Sequence, residues 1–230
     1  MDFNPFELNV TQSSLFSLEK AGPVSMELTP EIWSAAQTLI SPNSDQRYAS
    51  LQRLEELGVI QYSPLVVYLV SSCITDPDLN FRAKVVEVLA KLIGVEARNQ
   101  VIPDDIRNQL RNSLSRMRTR EIISLLQVAQ NDSACTRAVA TLMDMCPYAG
   151  KHLADILIDR DTSLAIRKLA ILMIGEVGFL DALSTLERLH NRLEARINGQ
   201  QTLGFTTRES NDELILLPSL CEALKLLRAP

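Results

Sequence analysis

Few residues of this chain could bind a metal or attack a substrate, and they are scattered. Its 230 residues include two histidines, His152 and His190, and four cysteines, Cys73, Cys135, Cys146 and Cys221. A zinc site needs three or four such ligands converging at short spacing, and nothing in these positions supplies the set. The cysteines form no C-x-x-C pair, and all but Cys73 lie inside helix-like apolar patterns, so they read as buried reduced thiols. No phosphate-cradling glycine loop, G-x-S-x-G elbow or His/Asp/Ser cluster occurs. The expectation is a protein without metal-dependent or covalent catalysis and without a cofactor.

The spacing that does recur carries structural chemistry. Asp76 and Arg82 are six apart, as are Asp161 and Arg167, Asn131 and Arg137, and Ser41 and Arg47. Three residues past each arginine stands Ser50, Val85, Ala140 or Ala170. An Asp, Asn or Ser at a turn can accept hydrogen bonds from the free N–H groups that begin a helix, and Pro42 and Pro77 suit such turns. The arginine fork, about two turns later, can reach the Asp-bearing turn of a neighbouring unit. Repeated along the chain, this predicts a ladder of charge-assisted hydrogen bonds.

The elements that would position such a ladder are paired helices. Upstream of the polar turns lie the stretches EIWSAAQTLI, SPLVVYLVSSCI, TREIISLLQVAQ and GKHLADILIDR, and downstream the apolar residues recur with helical period. The units fall near 30–62, 63–97, 118–147, 148–178 and 179–230. Residues 98–117 fall outside the period and predict an inserted helix. The last unit keeps Asp212, has Pro218 where the arginine would stand, and follows a long loop near 197–211, as an atypical terminal cap would. Residues 1–29 show no repeat and are expected to form an irregular N-terminal arm.

With the apolar–Arg–x–x–small pattern, best seen at Phe81-Arg82 and Ile166-Arg167, the chain resembles the HEAT-repeat family over about residues 30–230. The resemblance implies an all-α, right-handed α-solenoid of about five helical hairpins, second helices lining its inner surface, and binding of proteins or peptides there. Some enzymes are built on similar repeats. A di-iron hydroxylase would need His-Glu pairs, but Leu follows His152 and Asn follows His190; a DNA glycosylase would need a basic groove, and the chain is acidic with a single Trp33. Units such as IRKLAILMIGEVGFLDALSTL also resemble the repeats of phycobilin lyases, which leaves a bilin-lyase-like or other ligand-handling enzyme as an alternative to a binding scaffold.

The net charge of −5 is concentrated at one end: residues 1–58 hold eight acids and three bases, residues 59–230 twenty of each. No dominant basic face is present to neutralise phosphates, which argues against nucleic acid. No apolar run reaches the about 18 residues of a membrane span, and Asp2 and Glu7 stand where a secretory signal would be basic, so a cytoplasmic location is expected. Two surface features are candidates for partner binding. Arg107, Arg111, Arg116, Arg118 and Arg120, against Asp104 and Asp105, make 101–120 the most basic segment. The position five after each repeat arginine reads Gln52, Glu87, Leu142, Leu172, and the switch to leucine predicts an apolar strip on the inner surface. That strip would be covered by residues 1–29 or 197–211, by a partner, or by a second copy of the chain, which makes a self-associating subunit the third functional class.

Overall fold

The computed structural model of the protein describes residues 29–97, 102–198 and 213–229. The N-terminal arm and the loop before the last unit, as read from the sequence, lie almost wholly outside these residues. Eleven α-helices occur among the described residues: α1 Pro30–Thr38, α2 Ser44–Glu56, α3 Pro64–Ser72, α4 Leu79–Ala97, α5 Asp104–Ser115, α6 Thr119–Asn131, α7 Thr136–Asp144, α8 Ala149–Ile158, α9 Leu164–Val177, α10 Leu183–Ile197 and α11 Leu217–Arg228. The described residues contain no strand, and the protein is all-α. None of the described helices is long and apolar enough to cross a membrane.

Local chemistry explains where the helices start and stop. Asn43 Oδ1 accepts from the N–H groups of Asp45 at 2.9 Å and Gln46 at 3.4 Å, opening α2. Asp78 does the same for α4 through Asn80 and Phe81, and Ser63 and Ser163 for α3 and α9. Pro64 occupies the first position of α3, where its missing N–H costs nothing. Gly178 ends α9 in the left-handed region at φ +88°, which a side chain would resist.

Within each helix the buried residues trace one stripe. Arg47, Ser50, Leu51 and Leu54 repeat at i, i+3, i+4, i+7 along α2; Arg82, Val85, Val86 and Leu89 do so along α4. A single helix cannot cover such a stripe. The helices therefore pack as hairpins α1/α2, α3/α4, α6/α7, α8/α9 and α10/α11, and the second helices contact one another in series, α2 on α4, α4 on α7, α7 on α9 and α9 on α11. One continuous core runs along the array, from Ile32 and Leu39 through Phe81, Leu125, Leu142 and Ile171 to Leu220. The α9–α11 crossing is close enough that a methyl on Gly175 would lie 2.8 Å from the Ala223 Cα, so glycine there sets the distance between the two helices.

The predicted insertion is α5. It packs against α3, the first helix of the second hairpin, so that α6 instead contacts the short 3-10 turn Cys73–Thr75 that ends that helix. Buried Ile106, Leu110 and Leu114, four residues apart, form the stripe that anchors α5.

Candidate functional site

The first question is what the arginine ladder became. Arg47, in α2, reaches forward to the next hairpin: its Nη2 donates to Asp76 Oδ1 at 2.9 Å, while its Nη1 donates to the carbonyls of Ser41 and Pro42 in its own turn. The guanidinium also lies 5.4 Å from the centroid of the buried Phe81 ring. Asp76 turns its Oδ1 to the N–H of Asp78 as well, so one carboxylate orders its own turn and accepts the neighbouring arginine. The far end of the array repeats the device. Arg167 Nε donates to the Leu157 carbonyl, and its Nη2 to Glu213 Oε1 at 2.8 Å. Arg192 and Arg196 approach the other oxygen of Glu213 at 3.4 and 3.1 Å. Burial pushes the Glu213 carboxyl up, but the Arg167 hydrogen bond and the charges of Arg192, Arg167 and Arg196 outweigh it, holding the group below the usual carboxylate value.

The middle rung is different. Arg82 donates to the Ser124 carbonyl at 3.3 Å and Gln127 Oε1 at 2.8 Å, both on α6, rather than to the following turn. Asn131 is the exposed last residue of α6, and the turn is made by Asp132, whose Oδ1 accepts from the N–H of Ala134. Arg137 is exposed and makes no side-chain contact to Asp161, and Asp161 is itself exposed, donating its N–H to Asp159 Oδ1. The reason is helical phase. In α7 the buried stripe is Val139, Leu142, Met143 and, just beyond it, Cys146. That stripe starts two residues after Arg137, whereas in α2, α4 and α9 the arginine is itself part of it. The Asn131-to-Arg137 spacing is thus a coincidence of sequence, and Val139 occupies the arginine's place.

The same correction removes the apolar strip. Leu142 has 0% exposure and belongs to the core; Leu172 is half-buried. Their resemblance to an uncovered pair came from counting five residues from an arginine that is out of phase in one hairpin and in phase in the other.

The basic segment does meet a concave surface. A groove of about 470 Å³ lies between α3, α5 and the start of α6, lined by Tyr68, Ser72 and Thr75 on one side and Gln109, Asn112 and Arg116 on the other. Amide and hydroxyl side chains share its surface with apolar Ile74 and Met117, and Tyr68 is half exposed beside them. Of the five arginines in the segment, only Arg116 lines this groove. Arg107 is tied to Asp104 at 3.1 Å; Arg111, Arg118 and Arg120 are exposed on the surrounding surface. Arg111, Arg116, Arg118 and Arg120 make no ion pair among the described residues. One acid, Glu121, also lines the groove, and it is engaged in capping, with Oε2 accepting from the Arg118 N–H at 2.9 Å.

One pairing had no signal in the sequence at all. Packing of α10 on α11 sets His190 against Cys221, although each is isolated from other reactive residues along the chain. Among the described residues, no group of three or more His, Cys, Asp or Glu side chains is arranged to hold a metal.

Comparisons of the chain with protein-family models, with curated proteins and with solved structures gave no match.

Proposed function

We propose that the protein is a right-handed α-solenoid of HEAT type, and that it acts as a binding scaffold that takes an extended, acidic segment of a partner protein in the groove between α3 and α5. The in-series packing of second helices and the two intact arginine rungs support the repeat reading. The observation that carries the binding reading is the groove's composition. Asn112 presents a donor and an acceptor and Gln109, whose Nε2 also donates to Ser113 Oγ, an acceptor, matching the N–H and C=O of an extended peptide backbone, while Arg116 faces the same space without an ion pair to the Glu121 carboxylate that also lines it. Of the stripe expected on the inner surface implied by the resemblance, Leu142 is core and Leu172 is half-buried.

The groove exists because α5 lies outside the two-helix period. An inserted helix laid on α3 creates a wall that a simple stack of hairpins lacks. Acidic peptides are favoured because Arg111, Arg118 and Arg120 surround Arg116, giving local positive potential on an otherwise acidic chain.

The test is an array of ten-residue peptides, acidic, neutral and basic, probed with the purified full chain. Acidic peptides should be retained, and Arg116→Glu should abolish their retention while leaving the thermal unfolding unchanged. Equal retention of all three peptide classes, or of acidic peptides by the Arg116→Glu variant, would defeat the reading.

A further inference from the structure

Cys221 and His190 stand 31 positions apart in the chain and 3.4 Å apart in the fold, Sγ to Nε2. The thiol is half-buried and opens on a groove of about 400 Å³ whose walls are His190, Cys221, Leu224, Lys225, Arg228 and Ala229. The other three thiols are held differently. Cys73 and Cys146 are buried; burial pushes the Cys73 thiol up to about 11 and Cys146 upward too. Cys135 is pushed up by burial and by Asp132, whose Oδ2 lies 3.5 Å away. Of the four, Cys221 is the one set against an imidazole and lining a groove.

We propose that Cys221 is a modification site for thiol–disulfide exchange with small disulfides that carry carboxylates, with His190 as its base and Lys225 and Arg228 as the cations that receive the carboxylates. His190 Nε2 accepts the Sγ proton. The thiolate then attacks one sulfur of the incoming R–S–S–R′, forming Cys221–S–S–R, and the electron pair of the broken S–S bond leaves as R′–S⁻, which takes its proton from the imidazolium or from water. The incoming disulfide is the oxidant, and one disulfide is consumed for each one formed.

The charged neighbours divide by position. On α10, Glu194 Oε1 lies 3.5 Å from the same His190 nitrogen, and Glu187 bridges Arg228 at 2.7 Å. On α11, Glu222 is exposed beside Cys221, while Lys225, one turn on, makes no ion pair among the described residues. The carboxylates lie outside the groove lining; the cations are part of it.

The experiment follows the reaction of the full chain with a dianionic aromatic disulfide and with a neutral dipyridyl disulfide, locating the modified thiol by peptide mass. One fast thiol is expected, mapping to Cys221 and lost in Cys221→Ser. His190→Gln should slow it about threefold or more with both reagents, since it removes the group that accepts the Sγ proton. Lys225→Gln with Arg228→Gln should slow the dianionic reagent and not the neutral one. A fast phase that maps to Cys135, an unchanged rate in His190→Gln, or equal slowing of both reagents by the double variant would overturn the proposal. If His190→Gln does not fold, the location of the fast thiol and the charge-selective slowing by the Lys225/Arg228 double variant carry the test, and failure of either overturns the proposal.

Discussion

At the scale of single residues, three arginines identical in type have different energetic roles. The Arg167 side chain is 3% exposed and joins a carboxylate that is 8% exposed, and Arg47 joins Asp76 at 7% and 9%. Removing one partner strands the other charge in a poorly solvated place, which generally costs about 3–5 kcal/mol. Arg137 is exposed, and a surface substitution of that kind stays within roughly 0.5 kcal/mol. Urea unfolding of Arg47→Ala, Arg167→Ala and Arg137→Ala should therefore show two large losses and one negligible change. A large loss at Arg137 would restore the rung that the structure denies. Glu213 adds a pH dependence with a definite sign. Its carboxyl is held below the ordinary value of about 4.3, so the stability it contributes is fully present above that value and is lost as pH falls through the lower folded one. Glu213→Gln should accordingly be less stable than the parent at neutral pH, and the gap should narrow as melting is measured at successively lower pH beneath about 4.

At the scale of helices, the existence of the elements was legible because apolar runs of helical period are separated by short polar turns, although the caps stand at Asn43, Asp78 and Ser163 and not at Ser41, Asp76 and Asp161. Asp76 and its arginine were legible for the same reason: turn and helix are separated by a short, regular segment. The third hairpin was misread because the 3-10 turn Ser133–Cys135 stands between the capping Asp132 and α7 and shifts the phase of the helix that follows. A fixed ruler from arginine to turn residue cannot register such a shift. It mistook Asn131 for Asp132, and it took Leu142 for surface. Leu142→Ala is expected to cost about 2–5 kcal/mol, as truncation of a fully buried leucine does, and Leu172→Ala clearly less. Chemical denaturation of the two variants decides between this phase and the one in which both leucines share a surface strip. The reverse ordering would show that α7 is rotated from the position described. Contacts between distant elements had no trace in the sequence: the Cys221–His190 approach depends on how α10 lies across α11, and neither residue belongs to a motif.

At the scale of the molecule, the array is a stack of similar pairs interrupted once, and the proposed partner site lies at the interruption. Hairpins that repeat faithfully bury their stripes in one another. A helix outside the period must bury its stripe on a surface already complete, and α5 does so on α3, leaving a recess between its polar side and the end of α3. Arg116 supplies charge to that recess and Gln109 and Asn112 supply donors and acceptors. A charge-assisted hydrogen bond typically contributes about 1.5–3 kcal/mol, so Arg116→Ala should weaken an acidic peptide about tenfold or more. The loss should shrink as salt is raised, because Arg116 is exposed and its attraction is screened within about 8 Å at physiological ionic strength. Asn112→Ala should weaken acidic and neutral peptides alike and should be insensitive to salt, since it removes backbone recognition rather than charge. Titrating labelled peptides against the parent and both variants at low and high salt separates these effects. If Arg116→Ala weakened acidic and neutral peptides equally, the recess would be reading shape alone; if neither variant changed affinity, the peptide would be bound elsewhere on the array and the role given to α5 would be wrong.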